Sequence, residues 1–194
     1  HSDSAKFPAQ IHDLKATIRW IRSQAINYHF DADSIGVWGP SAGGHLAALL
    51  ATTNGNPKLE GDIGGAELSH YSSDVQAVVD LFGVANLVKR TKSRDWMTER
   101  LLGGPQSERT DLARLASPHF HASSSSAPIL IFHGDEDALV PVEQSIQFHR
   151  HLQEVGANST LQIIKGGAHG GEAFNTPVIR NMIIEFFDAH LKPN

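Results

Sequence analysis

Apolar positions recur along this chain with two different periods. After Pro8, the residues Ile11, Leu14, Ile18, Ile21 and Ala25 follow one another at spacings of three and four. That is the stripe of an amphipathic helix that starts beside a proline and buries one face. Residues 35–38 form a short apolar run behind the turn-prone Asp31-Ala32-Asp33, and Leu46 to Leu50 continue as alanine and leucine. This order predicts a strand, a sharp turn and a helix. The polar, glycine-rich residues 54–73 predict an exposed excursion, and Val75 to Phe82 a second strand that stops at Gly83.

A long connection near 84–127 comes next, with a helical stretch around Trp96-Met97 and Leu101-Leu102 and a solvated loop at Ser123 to Ser126. Ile129 to Phe132 is the third predicted strand, Val142 to Val155 a helix, and Leu161 to Ile164 the fourth strand. From Pro177, the residues Ile179, Met182, Ile183, Phe186 and Phe187 keep helical spacing and mark a closing helix. Strands alternating with helices imply an α/β fold with a mainly parallel sheet covered on both faces. Sites in such folds lie at the carboxyl ends of the strands. No internal repeat is visible.

Length and composition narrow the classes. The 194 residues suit one domain with its own core. Sixteen Lys and Arg against 21 Asp and Glu give a net charge of -5 without a dense basic run, which argues against nucleic acid as a partner. The absence of cysteine excludes disulfides, thiolate metal sites and a cysteine nucleophile. No apolar run is long enough to span a membrane, and His1-Ser2-Asp3-Ser4 has no apolar signal region. The chain reads as soluble, its compartment open, with the cytoplasm favoured over export. It begins at histidine, which fits an upstream segment removed by processing or truncation.

The chemistry concentrates at "IGVWGPSAGGHLAALL", residues 35–50. Gly39-Pro40-Ser41-Ala42-Gly43 has the form G-x-S-x-G, in which a serine sits on a strained turn between strand and helix and lifts its Oγ clear of the backbone. The same position lies at a helix N-terminus, where free N–H groups favour developing negative charge. A serine hydroxyl needs a base, and the base needs a carboxylate to orient it. The third predicted strand ends in His133-Gly134-Asp135-Glu136-Asp137, and the fourth ends in Gly166-Gly167-Ala168-His169-Gly170-Gly171. Both loops open on the edge that carries Ser41. His169, isolated among glycines, is the expected base. Asp137 is preferred to Asp135, which could simply close a turn; Asp80 is expected to be structural. His45 is expected to line a wall or bond backbone, His133 to fix its own loop, and the pairs His119 with His121 and His149 with His151 to be surface residues. No metal and no cofactor is expected.

These residues resemble the α/β-hydrolase superfamily, in particular serine esterases and lipases of the bifunctional feruloyl and acetyl xylan esterase-like type, near the hormone-sensitive lipase type. The resemblance rests on "FPAQIHDLKATIRWIRSQA", "GPSAGGHLAALL", "SPHF", "HGDEDALVP" and "GGAHG", and runs over nearly the whole chain in the order Ser, Asp, His. It implies a single α/β-hydrolase domain over 1–194 with a small cap-like insertion near 84–127. Ser41 would be the nucleophile, Asp137 the acid, His169 the base and the Ala42 N–H an oxyanion donor. The substrate would be a small-molecule ester of short acyl chain.

The chain departs from that pattern in lacking an H-G-G-G-like segment for the second oxyanion donor and the strands that would precede residue 35. Loss of one such donor costs on the order of a hundred- to a thousandfold in rate. An uncovered first strand also predicts a homodimer across that edge. Two further functions fit the residues: a serine peptidase of the prolyl oligopeptidase type, and a catalytically silent truncated hydrolase acting as a binding module.

Overall fold

The computed structural model describes residues 2–89 and 95–192. Its order is α1 (Ala9–Ser23), α2 (Ala25–Tyr28), β1 (Gly36–Pro40), α3 (Ala42–Thr52), α4 (Gly65–Leu68), β2 (Ala77–Leu81), α5 (Asp95–Leu102), α6 (Thr110–Leu115), β3 (Ile129–Gly134), α7 (Glu143–Glu154), β4 (Ser159–Ile164) and α8 (Pro177–Leu191). The four strands form one sheet in the order β1-β2-β3-β4, every pair parallel, with Gly39 opposite Asp80 and Asp80 opposite Ile131. Helices cover both faces, as the alternation predicts.

The two faces of the central strands explain their uninterrupted apolar sequences. Val78, Ile129 and Ile131 point into a core with Ile11 and Ile18 of α1, Leu49 of α3 and Phe148 and Leu152 of α7. Val79, Leu81, Leu130 and Phe132 point the other way, onto Ile179 and Ile183 of α8. Strands buried on both sides need no polar face. Thr176 starts α8 by accepting the Ile179 N–H at 3.3 Å, with Pro177 at its first position.

Strand edges shift from the predicted ones. The apolar run 35–38 becomes Gly36–Pro40, and Ile35 is buried just ahead of it. The run 75–82 pairs only over Ala77–Leu81, whereas the third and fourth strands lengthen to Ile129–Gly134 and Ser159–Ile164. Pairing register fixes these limits, and an apolar run does not report it. The predicted α1 stripe is present, but Lys15 is also fully buried on this helix. Its ammonium donates to Thr53 O at 2.8 Å, Glu60 Oε1 at 2.8 Å and Ser73 Oγ at 3.2 Å. Arg19 adds bonds to Glu60 Oε2 and O. The excursion 54–73 is therefore exposed at its tip but anchored at both ends through Glu60 and Ser73.

Candidate active site

Because all four strands are parallel, the loops after them meet on one rim. Ser41 is the residue between β1 and α3, at φ 53° and ψ -116°. A non-glycine residue holds such a backbone only when its surroundings impose it. Here the Ser41 N–H donates to Leu81 O at 2.8 Å, and Ser41 O accepts the His45 N–H at 2.9 Å. Strand and helix cross so closely that a Cβ on Gly39 would stand 2.5 Å from the carbonyl carbon of Gly43. Glycine at 39 is thus a packing requirement of the turn.

The loops after β3 and β4 are stitched together. Asp135 Oδ1 accepts the Gly166 N–H at 2.6 Å, and the Glu136 N–H donates to Gly167 O at 2.9 Å. The stitch brings His169 between the other two predicted residues. Its Nε2 is 2.8 Å from Ser41 Oγ and its Nδ1 is 2.7 Å from Asp137 Oδ2. The Asp137 carboxylate is fully buried, and its Oδ1 accepts the N–H groups of Leu139 at 2.9 Å and Val140 at 2.8 Å. In this arrangement a proton can pass from Oγ to Nε2 while the carboxylate holds the opposite N–H. Ala42 is the first residue of α3 and lines the cleft beside Ser41. Its N–H belongs to the helical turn whose donors lack intrahelical acceptors.

The remaining candidates fall outside this relay. Asp135 serves the loop stitch. Asp80 is buried beneath the turn, and its Oδ1 accepts the Gly83 N–H at 2.8 Å; burial pushes its carboxyl up to about 7. His45 Nδ1 is 2.7 Å from Val84 O, the backbone contact expected of it. His133 is fully buried, its ring nitrogens 2.7 Å from Ser145 Oγ and 2.8 Å from Val140 O, and burial lowers its pKa.

The four histidines expected on the surface are half-buried instead. The His119 and His151 rings lie 4.4 Å apart, His121 Nε2 bonds Leu115 O, and His149 Nδ1 bonds Ser159 Oγ. His149 ties α7 to β4, His119 and His151 meet where α7 adjoins the 3₁₀ turn at Pro118–Phe120, and His121 ties that turn to α6. Among the described residues no group of three or more His, Asp or Glu could hold a metal ion.

Two features escaped the sequence. Phe82 carries a φ of 46° and sets its ring 4.8 Å from the His169 ring at 63°. A cleft of about 220 Å³ beside Ser41 is walled by Leu46, Val84, Leu87, Met97, Leu101 and Val140. Its outer wall is α5, so the connection near 84–127 contributes to the site; no periodicity in the sequence discloses which face of α5 turns inward.

Comparison with known proteins bears on the family and the fold. The BD-FAE family profile matches residues 1–152. Esterase LipQ of Mycobacterium tuberculosis is 30% identical over 188 residues, which is 95% of this chain and 44% of that protein. Isoprenylcysteine alpha-carbonyl methylesterase ICME of Arabidopsis thaliana is 28% identical over 185 residues, 91% of this chain and 42% of that protein. A truncated form of a carbohydrate esterase from gut microbiota superposes with a TM-score of 0.87 at 34% identity, over 96% of this chain and 70% of that one. The propionate-bound esterase Est2 of Thermogutta terrifontis superposes at 0.78 and 27% identity, over 98% of this chain and 69% of that one. The chain spans less than half the length of the curated relatives it matches. With a parallel sheet, a serine on the turn after its first strand and a family match over most of its length, the chain belongs to the BD-FAE family of α/β-hydrolases.

Proposed function

We propose that this chain carries the hydrolytic centre of a carboxylic ester hydrolase that acts on short-acyl esters through Ser41, His169 and Asp137. The observation that carries the reading is the His169 imidazole, bonded to Ser41 Oγ at 2.8 Å on one side and to Asp137 Oδ2 at 2.7 Å on the other. As Oγ attacks the ester carbonyl, its proton passes to Nε2, and Asp137 steadies the imidazolium through Nδ1–H. The oxyanion forms at the N-terminus of α3, with the Ala42 N–H as one donor. Collapse of the tetrahedral intermediate expels the alcohol, which takes the Nε2 proton, and leaves an acyl-serine. Water, deprotonated by the same nitrogen, releases the acid.

The cleft supports the acyl preference. At about 220 Å³ and lined mainly by aliphatic side chains, it matches an acyl group of a few carbons. The test is hydrolysis of p-nitrophenyl acetate, butyrate and decanoate by the protein and by Ser41→Ala. Expected are turnover of the two short esters, little of decanoate, and its loss in the variant. Equal rates for both proteins would refute the reading. An organophosphonate ester should also add mass to the peptide that contains Ser41.

We further infer that two copies pair across β1. This strand ends the described sheet, Trp38 on it is 56% exposed, and Trp20, Tyr28 and Phe30 line an open apolar groove beside it. Light scattering at micromolar concentration should give a dimer mass, and Trp38→Lys a monomer; a monomer before substitution would dismiss the pairing.

A further inference from the structure

Asp80 stands in the middle sheet strand β2, on the face covered by α3, with α3 and the turn after β2 closing over it. Its Oδ1 is wedged between them: a Cβ on Gly44 would lie 2.3 Å from this oxygen, and one on Gly83 would lie 2.5 Å from it. A Cβ at 44 would also meet Gly39 O and Leu81 O at 2.9 Å, and one at 83 would meet His45 N at 2.5 Å, so the two glycines let strand, helix and turn close together around the carboxyl, which accepts the Gly83 N–H at 2.8 Å. This bond, from residue 80 to residue 83, closes a tight turn around Leu81 and Phe82. Each of those residues is tied elsewhere. Leu81 O accepts the Ser41 N–H at 2.8 Å, and the Phe82 N–H donates to Phe132 O at 2.7 Å.

Within this turn Phe82 is held at a φ of 46°, a conformation an L-residue keeps only under constraint. The consequence lies at its ring. Phe82 stands edge to face against Phe174, with centroids 4.7 Å apart at 72°, and against His169, 4.8 Å apart at 63°. His169 thus has a carboxylate at Nδ1, a hydroxyl at Nε2 and an aromatic ring beside the imidazole.

We propose that Asp80 is a positioning residue for His169, its carboxyl holding the turn that sets Phe82 against the imidazole. The proposal rests on the assignment of His169 as base. A purely space-filling side chain would not need an acceptor aimed at the Gly83 N–H. Burial holds the carboxyl protonated well above the usual range; the other influence on it is the Gly83 N–H, and its neighbour His45 on α3 directs Nδ1 to Val84 O. An acceptor of the same shape that cannot ionise should therefore do the same work.

The experiment compares Asp80→Asn, Asp80→Ala, Phe82→Ala and Phe82→Leu in the full chain, with the NMR signal of the His169 Cε1–H, identified by its loss in His169→Gln, and with kcat and KM for p-nitrophenyl butyrate. Asp80→Asn should keep the signal and kcat. Asp80→Ala should move the signal in the direction seen for Phe82→Ala and lower kcat by about tenfold to a hundredfold with KM unchanged. A folded Asp80→Ala protein with the parent signal and parent kcat would overturn the proposal. Should Asp80→Ala fail to fold, Phe82→Leu decides: an unmoved signal with unchanged kcat overturns it, and a moved signal with lower kcat supports it. If Ser41→Ala retains activity, the esterase reading fails separately, and the His169 signal alone still decides whether Asp80 acts on that ring.

Discussion

The Nε2 of His133 lies 3.2 Å from Asp137 Oδ2, the same oxygen that receives His169 Nδ1. A carbonyl only accepts, so Val140 O at 2.8 Å places a proton on His133 Nε2, while Nδ1 lies 2.7 Å from the Ser145 hydroxyl, and burial, which lowers the pKa, favours the neutral ring. The loop that carries Asp137 is thereby closed from beneath by a histidine that touches neither Ser41 nor substrate.

The buried state of His133 sets an acid limit on stability. Its pKa is lowered chiefly by burial, so the unfolded chain takes up a proton that the folded chain refuses. Stability is then fully present above the unfolded histidine value of about 6.5 and is lost as pH falls below it. His119 and His149 are shifted in the same direction by burial and add to the slope. Urea unfolding of the parent and of His133→Gln from pH 5 to 8 isolates this contribution from the opposite one of Asp80: the stability difference in the parent's favour should grow as pH rises toward neutrality and then level off.

Asp135 and Asp137 should separate cleanly. Asp137→Asn keeps the volume but places a donor or a weaker acceptor at His169 Nδ1, and a substitution of this kind in a serine triad costs on the order of ten-thousandfold in kcat. The Asp135 carboxylate accepts the Gly166 N–H in the loop stitch, and Asp135→Ala should cost about 1 kcal/mol of stability with a small change in kcat. Steady-state kinetics and urea melts on both variants check the contrast; comparable losses of kcat would undo the assignment of Asp137.

Asp80 gives the opposite pH dependence to His133. Its carboxyl is raised to about 7, so between the ordinary carboxylate range and neutrality the folded chain holds a proton that the unfolded chain has released. Stability attributable to this group is complete below about pH 4 and declines as pH rises through 7. Asp80→Asn removes the proton and keeps the acceptor. The variant should match the parent near pH 4 and exceed it in stability at pH 8, read as the difference between the two urea midpoints.

What the sequence disclosed and what it withheld divide along physical lines. The apolar runs around Val78 and Ile131 are legible as strands because both of their faces are buried, and the helix from Pro177 because its stripe has one period. Ser41 is legible because strand and helix cross so closely at its turn that Gly39 has no room for a Cβ. Nothing in the sequence marks Lys15 and Arg19 as buried, since a buried cation is visible only when the partners Glu60 and Ser73, more than forty residues away, are placed beside it. Phe82 was hidden for a related reason. It belongs to an apolar strand by composition, and only the pairing that ends β2 at Leu81 turns it out of the sheet toward His169.

The cleft makes the last prediction. Leu101 and Met97 face Ser41 across a space lined by Leu46, Val84 and Leu87, so an acyl chain placed there loses water against aliphatic walls. Each buried methylene contributes about 0.8 kcal/mol, which for butyrate over acetate amounts to roughly tenfold in kcat/KM. Filling the space should erase the gain without touching the relay. Leu101→Trp is expected to leave acetate turnover near the parent level and to bring butyrate down to it, while Met97→Ala, by opening the wall, should raise the rate for longer esters. Separate kcat/KM values for p-nitrophenyl acetate, butyrate and a longer ester measure both effects. Parallel losses on acetate and butyrate in Leu101→Trp would place acyl binding outside this cleft.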